Sequence, residues 1–163
     1  MSNLPPDAAT FPSSVINHRE LKAFIDAAFC YFEKVTCEPA EFGEASIQFG
    51  QPPTLDFTGL VQISGACSGF VYVTLPKAML TRMMESFGEM YPTDGALLDF
   101  VGEIANTVSG NVRQIFGSSF NVSTPAPLSA ASAGGLACSW PSFVLPVLWR
   151  GLNAFIVIAL KPN

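Results

Sequence analysis

Histidine is almost missing from this chain: His18 is the single one in 163 residues. A Ser-His-Asp or Cys-His catalytic set would have to be built on that one imidazole, which stands beside a predicted helix start and reads more simply as a surface or capping residue. Positive charge is scarce as well, with 8 Lys and Arg against 13 Asp and Glu and a formal net charge of −5. Nucleic acid is therefore excluded as a partner, because neutralising phosphates needs clustered cations. The four cysteines, Cys30, Cys37, Cys67 and Cys138, show no Cys-x-x-Cys spacing. Without paired thiols or a second histidine a zinc site has no ligand set, and in a reducing compartment these residues read as small buried hydrophobes. No apolar run approaches the ~20 residues that cross a bilayer. The N-terminus, Met1-Ser-Asn-Leu-Pro-Pro, lacks the basic and apolar regions of a signal peptide, so the expectation is a cytoplasmic chain with no membrane insertion. Gly-x-Ser-x-Gly and Gly-x4-Gly-Lys are absent, and Gly65-Ala-Cys-Ser-Gly69 reads as a turn rather than a nucleophile elbow or phosphate loop.

What is present is apolar: 49% of residues are hydrophobic and only 13% are charged. One domain of this length buries about two-thirds of its unfolded surface. The low charge also implies that some apolar surface is covered in an oligomer. Residues 1–16, rich in Pro, Ser and Ala, read as a loose arm, and residues 17–163 as the domain proper. Asn17-His18-Arg19-Glu20 has the form of a capping box. The helix it opens runs to about Thr36, with Leu21, Phe24, Ile25, Ala28, Phe29, Phe32 and Val35 at helical spacing to pack on a sheet. Ser46–Phe49 alternates like a short strand. Residues 54–64 and 69–75 read as a β-hairpin with a somewhat long loop. Pro76 opens a second helix with a Met79, Leu80, Met83, Met84 and Phe87 stripe that ends at Gly88. A strand at 120–124 precedes a Pro/Ala/Ser/Gly-rich loop to Gly135. Two runs flanking Gly151-Leu-Asn153, Ser142–Arg150 and Ala154–Leu160, close the chain as a second hairpin, with Pro146 at an edge or bulge. The order of elements predicts an α+β fold, a mostly antiparallel sheet with helices packed on one face.

The longest predicted helix, from Thr93 or Asp94 to Phe116 with Gly117 as its stop, carries the candidate site. Leu97, Val101, Ile104, Ala105, Val108, Val112 and Ile115 gather on one side. Asp99, Glu103, Asn106, Gly110 and Arg113 fall within an arc of roughly 80° on the other. A face shaped only for solvation and helix stability would carry Lys, Arg, Gln and paired Glu. Asp, Asn and Gly are poorer helix formers, and a mid-helix Gly costs about 1 kcal/mol relative to Ala. A small residue there suits close approach by another macromolecule.

Asp99, Glu103 and Asn106, in the order Asp, three residues, Glu, two residues, Asn, resemble the helix motif of the CheC/CheX/FliY family of chemotaxis phosphatases. A single copy of the motif resembles the CheX-like branch. The family pattern has a Pro a little over twenty residues past the Asn, and Pro125 and Pro127 stand here slightly early. The resemblance extends loosely from the helix near residue 18 to the last strand. It implies a CheC-like two-layer domain whose sheet continues across a homodimer. It also implies a phosphatase acting on the aspartyl phosphate of a CheY-like response regulator, with Glu103 pairing to the regulator's active-site Lys and Mg²⁺ belonging to the regulator, so the chain needs no cofactor of its own. An Asn amide can accept a hydrogen bond from water and donate one to a phosphoryl oxygen, which suits Asn106 to positioning water. Asp99, Gly110 and Arg113 are the expected docking residues. The alternative is a non-catalytic module that binds a regulator or signalling partner through the same face. No convergent polar set marks a small-molecule pocket.

Overall fold

A computed structural model of the chain describes residues 18–36 and 38–163. The N-terminal arm, Asn17 of the capping box, Cys37 and the side chain of Ile115 lie outside the described residues.

Helix α1, His18–Thr36, buries Leu21, Phe24, Ala28 and Phe32 as the apolar spacing predicts. It packs along another helix, α3 (Asp94–Phe116), and on the sheet, where Phe24 meets Phe120 edge-on at 6.3 Å and Phe32 meets Phe42 at 6.5 Å. Phe29, expected in the core, is 41% exposed and leans its ring on Phe42 at 6.0 Å. Two short strands follow, β1 (Glu41–Phe42) and β2 (Ser46–Gln48). The long hairpin β3 (Phe57–Gly65) and β4 (Cys67–Leu75) is in register from Phe57↔Leu75 to Ile63↔Gly69. Beyond that point the two strands part. Gly65 pairs with Phe120 of β5 (Phe120–Val122), and Cys67 pairs with Pro162 of the last strand, so the expected loop is paired at both of its ends.

Helix α2 (Lys77–Ser86) has Pro76 at its N-cap and buries Met79, Leu80, Met83 and Met84. Phe87 was expected in that stripe and is instead 52% exposed, because the helix stops one residue before it. After α3 and β5, the segment expected to be a loop holds strand β6 (Ala126–Ser129) and a helical turn, α4 (Ala130–Ala133). β6 forms because β3 offers its open edge from Phe57↔Ser129 to Leu60↔Ala126, and Pro127 is tolerated there because the strand is outermost.

The chain closes with β7 (Ser142–Trp149) and β8 (Leu152–Pro162), joined by Arg150-Gly151. Both residues have positive φ, 49° and 74°, as a two-residue hairpin turn requires. The turn is thus one residue earlier than the Gly151-Leu-Asn153 expected. β7 is not an edge strand, yet Pro146 stands opposite the break between β1 and β2, where its carbonyl accepts from Gly43 N at 3.0 Å.

Among the described residues, eight strands form one antiparallel sheet in the order β1-β7-β8-β4-β3-β5, with β2 beside β1 on β7 and β6 beside β5 on β3. Both edges are finished by short strands, which limits the unpaired backbone they present. Helices α1, α2 and α3 and the inner sheet face share one core. On the outer face Tyr72, Val144 and Val157 are buried under Leu136, while the Tyr72 hydroxyl donates to Pro53 O at 2.8 Å. The result is an α+β fold with its helical layer on one side and α3 lying across β3. Gly59 permits that crossing: a Cβ there would collide with the carbonyl oxygen of Val101.

Candidate functional site: the outward ridge of the long helix

Thr93 starts α3 by accepting from Ala96 N at 3.2 Å, with Asp94 in the first turn bonded to Lys77 at 2.8 Å. Arg113 lies in the last turn, where a cation complements the helix dipole, and Gly117, at φ 76°, ends the helix. Leu97, Val101, Ile104, Ala105, Val108 and Val112 are each no more than 1% exposed. Burying a large aliphatic side chain in this way stabilises by about 1.5–3 kcal/mol. That packing fixes the helix, and so fixes which residues it turns outward.

Asp99, Glu103, Asn106 and Arg113 are exposed and Gly110 is half-buried. All five therefore share one ridge. None of the four side chains has an ion pair or a side-chain hydrogen bond among the described residues. Glu103 and Asn106 are one turn apart, which brings their Cβ atoms within about 5–6 Å. Arg113 lies about 10 Å beyond Asn106 along the axis, at the far end of the ridge. Gly110 has nothing within 4 Å of where a Cβ would sit, so no contact among the described residues explains it.

The ridge has two different flanks. On one, Phe100, Glu103, Thr107 and Asn111 face Tyr31, Lys34 and Val35 of α1 and the end of α2 across a groove of about 560 Å³. Burial, and then the Glu103 carboxylate, push the Tyr31 hydroxyl well above its ordinary value of 10.0. On the other flank Gly102 is buried beside Pro125 and Pro127, whose Cβ atoms would lie 3.8 and 3.9 Å from a Cβ at that position. Both prolines thus stand against the motif helix.

No cluster of three or more His, Cys, Asp or Glu able to hold a metal ion occurs among the described residues. Cys67 is buried, with its thiol pushed up by burial and then by Glu20, but Cys30 is exposed, contrary to expectation. Cys138 is half-buried and donates to Trp140 O at 2.8 Å. No helix among the described residues is long and apolar enough to cross a membrane. Sequence reasoning missed the groove wall, Tyr31, Phe87 and Phe100. The one available signal was a run of large apolar residues continuing past the helix-ending Gly88.

The architecture is an antiparallel sheet overlaid by a long helix that presents Glu103 and Asn106 one turn apart on its exposed face. The family model of the chemotaxis phosphatase CheX matches residues 57–143, just over half of the chain and all of the ridge, and the chain belongs to this family. The fold is similar to that of a CheC-like superfamily protein from Shewanella sp. PV-4, with a TM-score of 0.80 and 20% identity over 90% of this chain and 99% of that one. It is similar to the chemotaxis protein CheX of Vibrio vulnificus, with a TM-score of 0.74 and 22% identity over 88% and 99% of the two chains. A third similar structure comes from a complex of CheX with CheY, BeF3 and Mg²⁺ from Borrelia burgdorferi, with a TM-score of 0.72 and 16% identity over 87% and 97%. No curated protein matches the chain.

Proposed function

We propose that the outward ridge of α3 hydrolyses the aspartyl phosphate of a CheY-like response regulator in chemotaxis or related two-component signalling. The observation that carries this reading is the Glu103–Asn106 pair, exposed one turn apart and without an ion pair or side-chain hydrogen bond among the described residues. Membership of the CheX family supports it, as does the similar fold of a CheX solved together with CheY.

The chemistry asks little of the chain. An acyl phosphate has a good leaving group, so the catalyst need only hold water in line and stabilise charge. Asn106 would accept a hydrogen bond from that water through its carbonyl and donate one to a phosphoryl oxygen through its amide. The water oxygen bonds to phosphorus, the carboxyl–phosphoryl bond breaks, and the regulator's aspartate leaves with the electron pair. Glu103 would pair with the regulator's lysine, and the Mg²⁺ arrives with the regulator as part of the substrate. Asp99, Gly110 and Arg113 would form the docking surface around the pair. Acting on such a regulator places the chain in the cytoplasm, and pairing of a sheet edge with a second copy would make it a homodimer.

The test is the lifetime of a phosphorylated regulator with and without the chain. The expected result is accelerated phosphate release. Stable binding without acceleration would instead favour a non-catalytic docking module.

A further inference from the structure

The exposed large hydrophobic residues of the described chain are concentrated in the connection between α2 and α3. Five large hydrophobic residues are strongly exposed among the described residues, and three of them, Phe87, Met90 and Tyr91 at 52%, 60% and 87%, lie within five positions. Tyr91 also holds φ at 55°, a left-handed conformation that bulky side chains avoid. Nothing is gained inside this chain for that strain, because the ring is the most exposed of the five. Backbone strain of this kind points to a use outside the chain.

The position of the patch says what that use is. Phe87 sets its ring edge-on to Phe100 of α3 at 5.9 Å, and both line the groove that Glu103 lines. Phe87 therefore carries this connection to the ridge, and Met90 and Tyr91 follow it within four residues. Its charge is predominantly negative: Glu89 and Glu103 in the groove and Asp99 on the ridge have no ion pair among the described residues, and the cation Lys77 is taken by Asp94. Lys34, across the groove on α1, is the one cation in its lining. An apolar centre rimmed by unneutralised carboxylates fits a partner surface of apolar side chains flanked by Lys or Arg.

We propose that Phe87, Met90 and Tyr91 are the apolar anchor by which the phosphorylated regulator is recognised, beside the Glu103–Asn106 ridge that acts on it. The proposal rests on the phosphatase reading. It divides the labour: the anchor sets affinity and the choice among regulators, and the ridge sets the rate.

Tyr91→Gly is the informative variant, because glycine adopts a φ of 55° freely and the side chain is lost without strain. With each CheY-like regulator of the same genome phosphorylated by acetyl phosphate, Tyr91→Gly and Met90→Ser should each raise KM about tenfold, as losing an interface anchor does. The rate at saturation should stay within about twofold and melting should not fall, and KM of the parent chain should rise with salt. Tyr91→Phe should restore most of the affinity. An unchanged KM in both variants, with the parent active, overturns the anchor and leaves the phosphatase reading standing. A change in sedimentation mass in place of KM overturns it in favour of a second copy of this chain. A parent chain that neither binds nor dephosphorylates any regulator overturns both.

Discussion

Glu103 and Ile104 are consecutive residues, yet one is exposed and without an ion pair while the other is completely buried. The contrast extends over the whole of α3. Its inner face is explained residue by residue by what it touches, whereas its outer face holds an amide, carboxylates and a glycine that form no ion pair or side-chain hydrogen bond among the described residues. Two glycines make the same point. Gly59 is required where the sheet meets the carbonyl oxygen of Val101, while Gly110 has open space where its Cβ would be. A residue type that costs helix stability and serves no internal contact is where function has to be sought.

Substitutions on the two faces should separate stability from activity. The largest effect belongs to the inner face: Ile104→Ala should lose about 2–5 kcal/mol by denaturant unfolding, the cost of a cavity in a packed core. A loss below 1 kcal/mol would mean that α3 is not held by that face. Next is Asn106→Ala, which should slow regulator dephosphorylation about 100-fold or more, comparable to removing one well-placed polar group from an active site. Its unfolding free energy should move by no more than about 0.5 kcal/mol. Gly110→Ala should act in opposite directions on the two properties. Stability should rise by about 1 kcal/mol from helix propensity, and regulator binding should weaken because the methyl stands on the docking surface. Higher stability with unchanged binding would remove Gly110 from that surface.

The smallest effect lies away from both faces. Arg150 holds Glu38 by two bonds of 2.7 and 2.9 Å, and the hydrogen bond from Arg150 lowers the Glu38 pKa below its ordinary 4.5. A carboxylate with a depressed folded pKa stabilises above its unfolded value and loses that contribution as pH falls through the folded one. Glu38→Gln should therefore be slightly less stable than the parent at neutral pH and low salt, with the gap closing in acid. A gap that persists in acid would assign the effect to packing instead.

Much of this was legible before any coordinates. The ends of α3 were readable because Thr93 and Gly117 are chemically suited to cap and stop a helix, and its two faces because the apolar period is unbroken from Leu97 to Val112. The candidate pair was legible as a stripe because that same period fixes what is turned outward. β6 was not, because Ala-Pro-Leu-Ser has little strand character of its own and becomes a strand only where β3 offers an edge. The packing of α1 on the sheet was legible from its apolar period, but its second neighbour, α3, was not, because periodicity identifies a buried face without saying all that covers it. The Phe87–Tyr91 patch was overlooked for a related reason: Phe87 fits the spacing of α2, and spacing does not reveal that the helix has already ended.

The most direct test combines both properties in one comparison: phosphate release from a phosphorylated CheY-like regulator and thermal melting, each recorded for the parent chain and for Asn106→Ala. The expected result is a parent that shortens the regulator's phosphorylated lifetime, and a variant that leaves it near the spontaneous value while melting at the same temperature. Equal rates for parent and variant would contradict the role assigned to Asn106.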